Sequence, residues 1–280
     1  MSLLRKILYR LVIKNLNASS GGGYEYKYKV FGKLIRYKPT LKYIPSDGLF
    51  KIQYENRELY ICRKERMRYY KNGIASRLDF LKSEYLSDEI EFSSNDVLID
   101  VGANIGEFSL SHSQSIDVRA IAIEPEDREF RALQINLSNV QCELINKAVW
   151  AEKGEHEFFP NNQSGDSSLI RFSNQIVPVV VECTTIDEVL KQSQLIGQNE
   201  PIKLLKLEAE GAEPEVLMGM KENLTRVEYV SADVGAERGF EKESTLIAVQ
   251  KILMEAGFEP VKFGLPRAVM LFQNTRMKGG

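Results

Sequence analysis

Cysteine, histidine and tryptophan are scarce in this chain, at three, two and one in 280 residues. Cys62, Cys142 and Cys183 are widely separated and odd in number, which excludes a disulfide framework and any paired Cys/His zinc motif. A reducing cytoplasm is the expected compartment. With only His112 and His156, no Ser-His-Asp or Cys-His arrangement can be assembled, and both histidines read as structural. No apolar run reaches the roughly eighteen residues of a spanning helix. The start, MSLLRKILYRLVIKN, intersperses its charges and lacks a small-residue cleavage site, so no signal peptide is expected. A net charge of −2 provides no global basic field for nucleic acid.

The charge that is present is uneven. Residues 1–46 hold ten Lys/Arg against one acid, Glu25, and the remainder is net acidic. Leu3, Leu4, Ile7, Leu8, Leu11 and Val12 recur at helical spacing between basic residues, which predicts a basic amphipathic helix. It is expected to pack on its own protein or a partner, with peripheral contact of residues 1–16 with an anionic membrane as the sharper alternative. NASSGGG (17–23) reads as a flexible break. From Tyr24 to Cys62 the alternation of apolar and basic residues predicts strands, with a hairpin turn at Asp47-Gly48 and another near Asn56. Residues 75–86 return to helical spacing. The expected division is thus residues 1–23 as helix and break, 24–90 as an accessory β/α region, and 91–275 as the main domain.

Beyond residue 96, strands and helices alternate. Strands are expected at 97–101, 118–123, 141–149, 203–209 and 227–233, and helices near 105–115, 127–138, 185–195, 213–224 and 244–256. A last pair, 258–263 and 267–273, is joined by Gly264-Leu265-Pro266, too short for a parallel crossover. The pattern predicts an α/β fold with a doubly wound, mostly parallel sheet and one reversed edge strand.

The chemistry concentrates in VLIDVGANIGEFSL. A buried strand ends in Asp100, turns through Gly102, Asn104 and Gly106, and opens a helix. Glycines there let backbone approach a ligand closely. A pyrophosphate needs GxGxxG; here Asn104 stands at the middle glycine and Asp100 would repel phosphate. A carboxylate at this strand end suits an amine, which points to a methionine-bearing nucleoside with a sulfonium. The next strand ends in Glu124, placed to accept hydrogen bonds from ribose hydroxyls. A nicotinamide oxidoreductase is the competing reading, and Asp100 and Asn104 argue against it.

DVGANIG, AIEPE, Asn136, INKAVW and LLKLEAEGAEPEVLMGM together resemble the FkbM-type methyltransferases, over about residues 90–275. The resemblance implies a Rossmann-like class I methyltransferase fold with a seven-stranded sheet, and S-adenosyl-L-methionine as cofactor. It further implies O-methylation of a hydroxyl on a sugar, glycan or related natural product. Carried onto this chain, Asp100, Gly102, Asn104 and Gly106 form the first cofactor motif and Glu124 the ribose contact. Asn146, Ala148 and Val149 then border the adenine. The fourth strand departs from the family pattern Lys-Ile-Asp-Val-Glu-Gly: Glu208 replaces the aspartate and reaches about one ångström further, enough to matter in a positioned reaction. A catalytically inactive cofactor-binding module is a third reading.

Glu208, Glu210 and Glu213 fall at the carboxyl edge of the sheet, where ligands bind in such folds. Glu208 and Glu210 are candidates to accept the hydroxyl proton, and Glu213 reads as a helix N-terminal residue beside Pro214. No His or Asp accompanies them, so no metal is expected. Asp233 ends the fifth strand and is a further candidate for acceptor contact or for the base. Glu237 and Arg238 follow in a glycine-flanked loop, and Ser167 lies in the polar stretch SGDSS, resembling an active-site segment of the family; all three are candidate acceptor contacts.

Overall fold

The computed structural model describes residues 10–277 apart from 13, 17, 33–35, 114–115 and 162–166. Most of the expected N-terminal amphipathic helix lies outside the described residues. Its end does not: residues 10–12 and 14–16 are helical, and Val12 and Leu16 are buried in one apolar cluster with the region that follows.

Helix α1 (Gly21–Phe31) occupies the stretch expected to be a flexible break and the start of a strand. Glycine weakens a helix by about 1 kcal/mol each, so tertiary contact decides here. The Tyr-Lys alternation that suggests a strand also places Tyr24 and Tyr28 four residues apart on one helical face. Both rings are buried. Tyr24 packs edge-on against Phe50 with centroids 5.6 Å apart, and the Tyr28 hydroxyl donates to the Pro39 carbonyl at 2.8 Å. Strands β1 (Thr40–Ile44), β2 (Leu49–Tyr54) and β3 (Arg57–Ile61) form an antiparallel meander, turning at Asp47-Gly48 and at Glu55-Asn56. A 3-10 helix (Lys64–Tyr70) and α2 (Ile74–Glu84) lead to the main sheet.

That sheet begins with β4 (Val97–Val101), α3 (Glu107–Ser113), β5 (Arg119–Ile123), α4 (Asp127–Asn136) and β6 (Cys142–Ile145). The expected strand 141–149 is broken. β7 (Ala148–Val149) leaves the main sheet and pairs in parallel with β9 (Val179–Thr184), which also carries β8 (Gly154–Phe158) antiparallel. The chain then runs through α5 (Ile186–Gln192), whose Thr185 cap accepts the Glu188 amide as expected. Strand β10 (Ile202–Leu207), α6 (Glu213–Met218) and β11 (Val227–Asp233) follow. Beyond a small ribbon, β12 (Ala236–Arg238) with β13 (Glu243–Ser244), come α7 (Leu246–Glu255), β14 (Phe258–Gly264) and β15 (Val269–Asn274).

The seven-stranded order is β14-β15-β11-β10-β4-β5-β6. Strands β11, β10, β4, β5 and β6 are parallel, and β15 runs against both its neighbours. The reversed strand is therefore not the edge strand expected. VMLFQN of β15 is largely buried and takes the inner position, whereas β14 is exposed along most of its length and takes the edge. This is a doubly wound, Rossmann-like sheet whose last two strands form an antiparallel hairpin. The meander is not a detached module. Phe50, Ile52, Leu59 and Ile61 share a cluster with Ile105, Ala122 and Leu133 of the main fold. Asn136 fastens the two: it accepts the Tyr60 amide at 2.7 Å and donates to the carbonyls of Tyr60 and Ile105 at 2.9 and 2.8 Å.

Candidate active site

The strand ends of β4, β5 and β10 open into a cavity of about 570 Å³, closed on its far side by the 3-10 helix and α2. It is large enough to bury much of a nucleoside-sized ligand. Gly102, Asn104, Glu124 and Ala148 line it, and so do Ser167, Glu208 and Glu210.

The glycine loop is shaped by close packing. Gly102 has φ of 70°, and a Cβ there would meet the Glu208 carbonyl oxygen at 2.0 Å. The loop after β4 and the chain after β10 are in contact, and only glycine fits between them. Asn104 is also left-handed, at φ 53°, and its side chain accepts the Ile105 amide at 3.0 Å. Gly106 is not in the cavity wall; its φ of 86° lets α3 start close against Leu133 and Leu137. Glu124 accepts the Asn104 amide and the Glu126 amide, each at 2.8 Å. Burial pushes its carboxyl up to about 8, further than those amide bonds pull it down. Asn146 stands outside the wall and braces the loop from behind, donating to the Glu124 carbonyl at 3.0 Å.

Asp100 is placed differently from the expectation. Its side chain is fully buried, is absent from the cavity wall, and faces Lys206 instead of open space. Lys206 Nζ lies 3.1 Å from Asp100 Oδ1 and donates to the carbonyls of Val101 and Gly102 at 3.0 and 2.8 Å. The Ser109 hydroxyl donates to Asp100 Oδ2 at 2.7 Å. The carboxylate thus holds the lysine that holds the loop. A lysine inside IKLLKL was the one available signal, since an inward-facing cation in an apolar strand requires a buried partner.

Glu208 is the centre of a second network. It accepts from the Tyr85 hydroxyl and from Arg267, and sits 3.4 Å from Lys206. Burial alone would raise its carboxyl, but the Arg267 and Lys206 charges outweigh that and hold it at about 2. Such a group stays ionised and is a weak proton acceptor. Asp233 is buried outside the wall, accepts from Arg267 through one oxygen and from the Gly235 amide at 2.9 Å through the other. Burial raises its carboxyl. Glu213 behaves as the helix-start residue expected, accepting the Ala209 amide at 2.9 Å and the Gly211 amide at 3.2 Å, while burial pushes it to about 7. Glu210 reaches the cavity on a left-handed backbone, φ 51°, and its carbonyl accepts the Ser168 hydroxyl at 2.7 Å. Among the described residues, no His, Cys, Asp and Glu side chains form a metal-binding group of three or more.

The three candidate acceptor contacts separate. Ser167 lines the cavity and donates to Glu126 at 2.8 Å. Arg238 does not; its guanidinium is engaged by Glu215 in a two-bond pair at 2.8 and 2.7 Å and by the Gly211 carbonyl at 2.6 Å. Glu237 also lies outside the wall, and burial followed by the nearby Asp233 charge pushes it up to about 8. The Arg238 pair packs the loop after β11 against α6. His112 is buried against Phe108, and burial lowers it to about 4, so it is neutral and structural. Tyr85, Arg267, Arg66, Arg77 and Glu107 are part of the site and were not singled out by sequence reasoning, because nothing local in their segments marks them.

Residues 100–264 match the Methyltransferase FkbM domain, and the chain belongs to that family of methyltransferases. It is 24% identical over 246 residues to the 2-O-methyltransferase NoeI of Sinorhizobium fredii, covering 80% of this chain and 98% of NoeI. It is 28% identical over 217 residues to the AMB antimetabolite synthetase AmbE of Pseudomonas aeruginosa; that match covers 64% of this chain and a tenth of AmbE. A solved structure of a putative transferase of Pyrococcus horikoshii aligns over 89% of this chain and 81% of its own, at 12% identity and a TM-score of 0.42. The family assignment decides against the oxidoreductase alternative.

Proposed function

We propose that the protein transfers a methyl group from S-adenosyl-L-methionine to a hydroxyl of a sugar, glycan or related natural product. The observation that carries the cofactor is the joint placement, in one cavity, of the left-handed glycine loop, the Glu124 carboxyl and Ala148. Similarity to a 2-O-methyltransferase supports a hydroxyl acceptor. Gly102 and Asn104 present backbone to the amino-acid end of the cofactor, Glu124 receives the ribose hydroxyls, and Ala148 and Val149 floor the adenine.

When bound, S-adenosyl-L-methionine supplies a methyl already activated by positive sulfur. The protein's own part is to align an acceptor oxygen, exclude water and receive one proton. Glu208, held ionised between Tyr85, Lys206 and Arg267, orients that end of the cavity and stabilises positive charge there. Glu210, in the wall beside it, is the carboxylate we assign to accept the hydroxyl proton. Asp233 acts at one remove by fixing Arg267.

The test is a thermal-shift titration followed by transfer of labelled methyl. S-adenosyl-L-methionine should raise Tm, Glu124→Ala should abolish the shift, and label should pass to members of a hydroxylated-acceptor panel. Absence of any shift at millimolar cofactor sinks the reading. A shift without transfer to any acceptor identifies the inactive binding module instead.

A further inference from the structure

On the cavity wall opposite the strand ends, Arg63, Arg66, Arg68 and Arg77 face the two carboxylates of that wall, Glu65 and Glu84. Arg66, Arg68 and Arg77 all line it. Their guanidinium carbons stand 5.9, 4.7 and 4.7 Å from the centre of one ring, Tyr69. Two of the three converge on one buried carboxylate: Arg66 Nη2 is 2.5 Å from Glu107 Oε2, and Arg77 Nε is 3.0 Å from Glu107 Oε1. Tyr70 donates to that same Oε1 at 2.7 Å, so Glu107 has no spare capacity for a further cation. Glu84 stands 3.8 Å from Arg77 but also 4.0 Å from Arg267, which divides its charge between two walls. Among the described residues no carboxylate lies within ion-pair distance of Arg68, which donates to the Tyr69 hydroxyl at 2.6 Å. Arg66 Nε is buried with no hydrogen-bond partner, a polar group left unsatisfied inside the protein. Three guanidinium groups gathered on one ring, with an unsatisfied N–H among them, are arranged for an anion that is not part of the chain.

We propose that Arg66, Arg68 and Arg77 form an anion subsite, built by the region ahead of the family-matched span, that binds a carboxylate group of a ligand in this cavity. Glu107 follows Gly106 directly, so the subsite adjoins the glycine loop. The carboxylate has two sources: the amino-acid end of the cofactor, or an acidic group on the acceptor. The inference rests on the cavity being the methyl-transfer site proposed above. It adds that the accessory region supplies charge recognition and not only a cover.

The full-length protein and the variants Arg66→Gln, Arg66→Lys and Arg68→Gln are titrated calorimetrically with S-adenosylhomocysteine and with 5′-methylthioadenosine, which lacks the amino-acid part. Melting is also followed with and without glucuronate as an acidic hydroxylated probe, in the absence of nucleoside. If the cofactor is the source, each Gln variant binds S-adenosylhomocysteine about tenfold or more weakly, with methylthioadenosine unchanged and partial recovery in Arg66→Lys. If the acceptor is the source, nucleoside affinities stay level while glucuronate raises the wild-type Tm and loses that effect in the Gln variants. Equal losses for both nucleosides, or no change in any arm, overturn the subsite. Wild-type protein that binds neither nucleoside refutes the cofactor reading, and the glucuronate arm then decides the subsite alone. Should Arg66→Gln fail to fold for want of its Glu107 pair, Arg68→Gln carries the test, because Arg68 is exposed and pairs with no carboxylate among the described residues.

Discussion

Lys206 and Asp100 form a buried ion pair, 3.1 Å apart on neighbouring parallel strands, and through it the lysine reaches the Gly102 carbonyl at 2.8 Å. The pair sits beneath the glycine loop and sets its height. Truncating one partner leaves the other charge buried and uncompensated. Asp100→Ala and Lys206→Met should each destabilise the fold by about 3–5 kcal/mol, and the double variant should lose less than their sum. Urea unfolding curves of the three proteins check this. Additive losses would show that the two charges do not depend on one another.

Gly102→Ala tests the contact between the two loops. The added methyl would meet the Glu208 carbonyl oxygen at 2.0 Å, on a backbone with φ of 70°. The expected cost is more than about 1 kcal/mol, with loss of the Tm rise produced by S-adenosyl-L-methionine. A variant that folds and responds to cofactor like the wild type would count against the loop's assigned role.

Arg267 joins Glu208 and Asp233, two carboxylates on adjacent strand ends. Because the Glu208 carboxyl is held at about 2, below its ordinary 4.5, its pairing stabilises the protein above pH 4.5 and is lost as pH falls through about 2. Arg267→Ala should therefore cost more stability at pH 7 than at pH 3. Denaturation at the two pH values measures it, and an equal cost at both would remove Arg267 as the cause.

Glu124 has the opposite sign. Its carboxyl is raised from 4.5 to about 8 by burial, so its favourable contribution is complete below pH 4.5 and declines as pH rises through 8. Glu213 and Glu237, at about 7 and about 8, add to the same trend. Wild-type Tm should fall between pH 5 and pH 9, and Glu124→Gln should give a flatter profile over that range. Parallel profiles would mean that Glu124 is ionised throughout.

Much of the main sheet was legible because each element carries its own signal. Apolar-rich runs mark β4, β5, β10 and β11, Thr185 caps α5, and a three-residue link forces β14 and β15 antiparallel. Gly102, Asn104, Glu124 and Ala148 were legible as one wall for the same reason: each lies within a few residues of the end of a strand whose identity is local. Where local signals are ambiguous, burial decided. A Tyr-Lys alternation fits a strand or a helix equally, and α1 formed because Tyr24 and Tyr28 had Phe50 and Tyr37 to pack on.

The sequence by itself determined the alternating α/β order, the glycine loop after β4 and the acid that ends β5, since backbone permissiveness and periodicity are properties of short stretches. Tertiary structure decided which carboxylates meet solvent in the cavity and which meet cations. Asp100 turned inward to Lys206, Glu208 was claimed by Tyr85 and Arg267 from positions 123 and 59 residues away, and Arg238 was taken by Glu215. A charged group's role depends on its partner across space, and the partner is named only when the chain has folded.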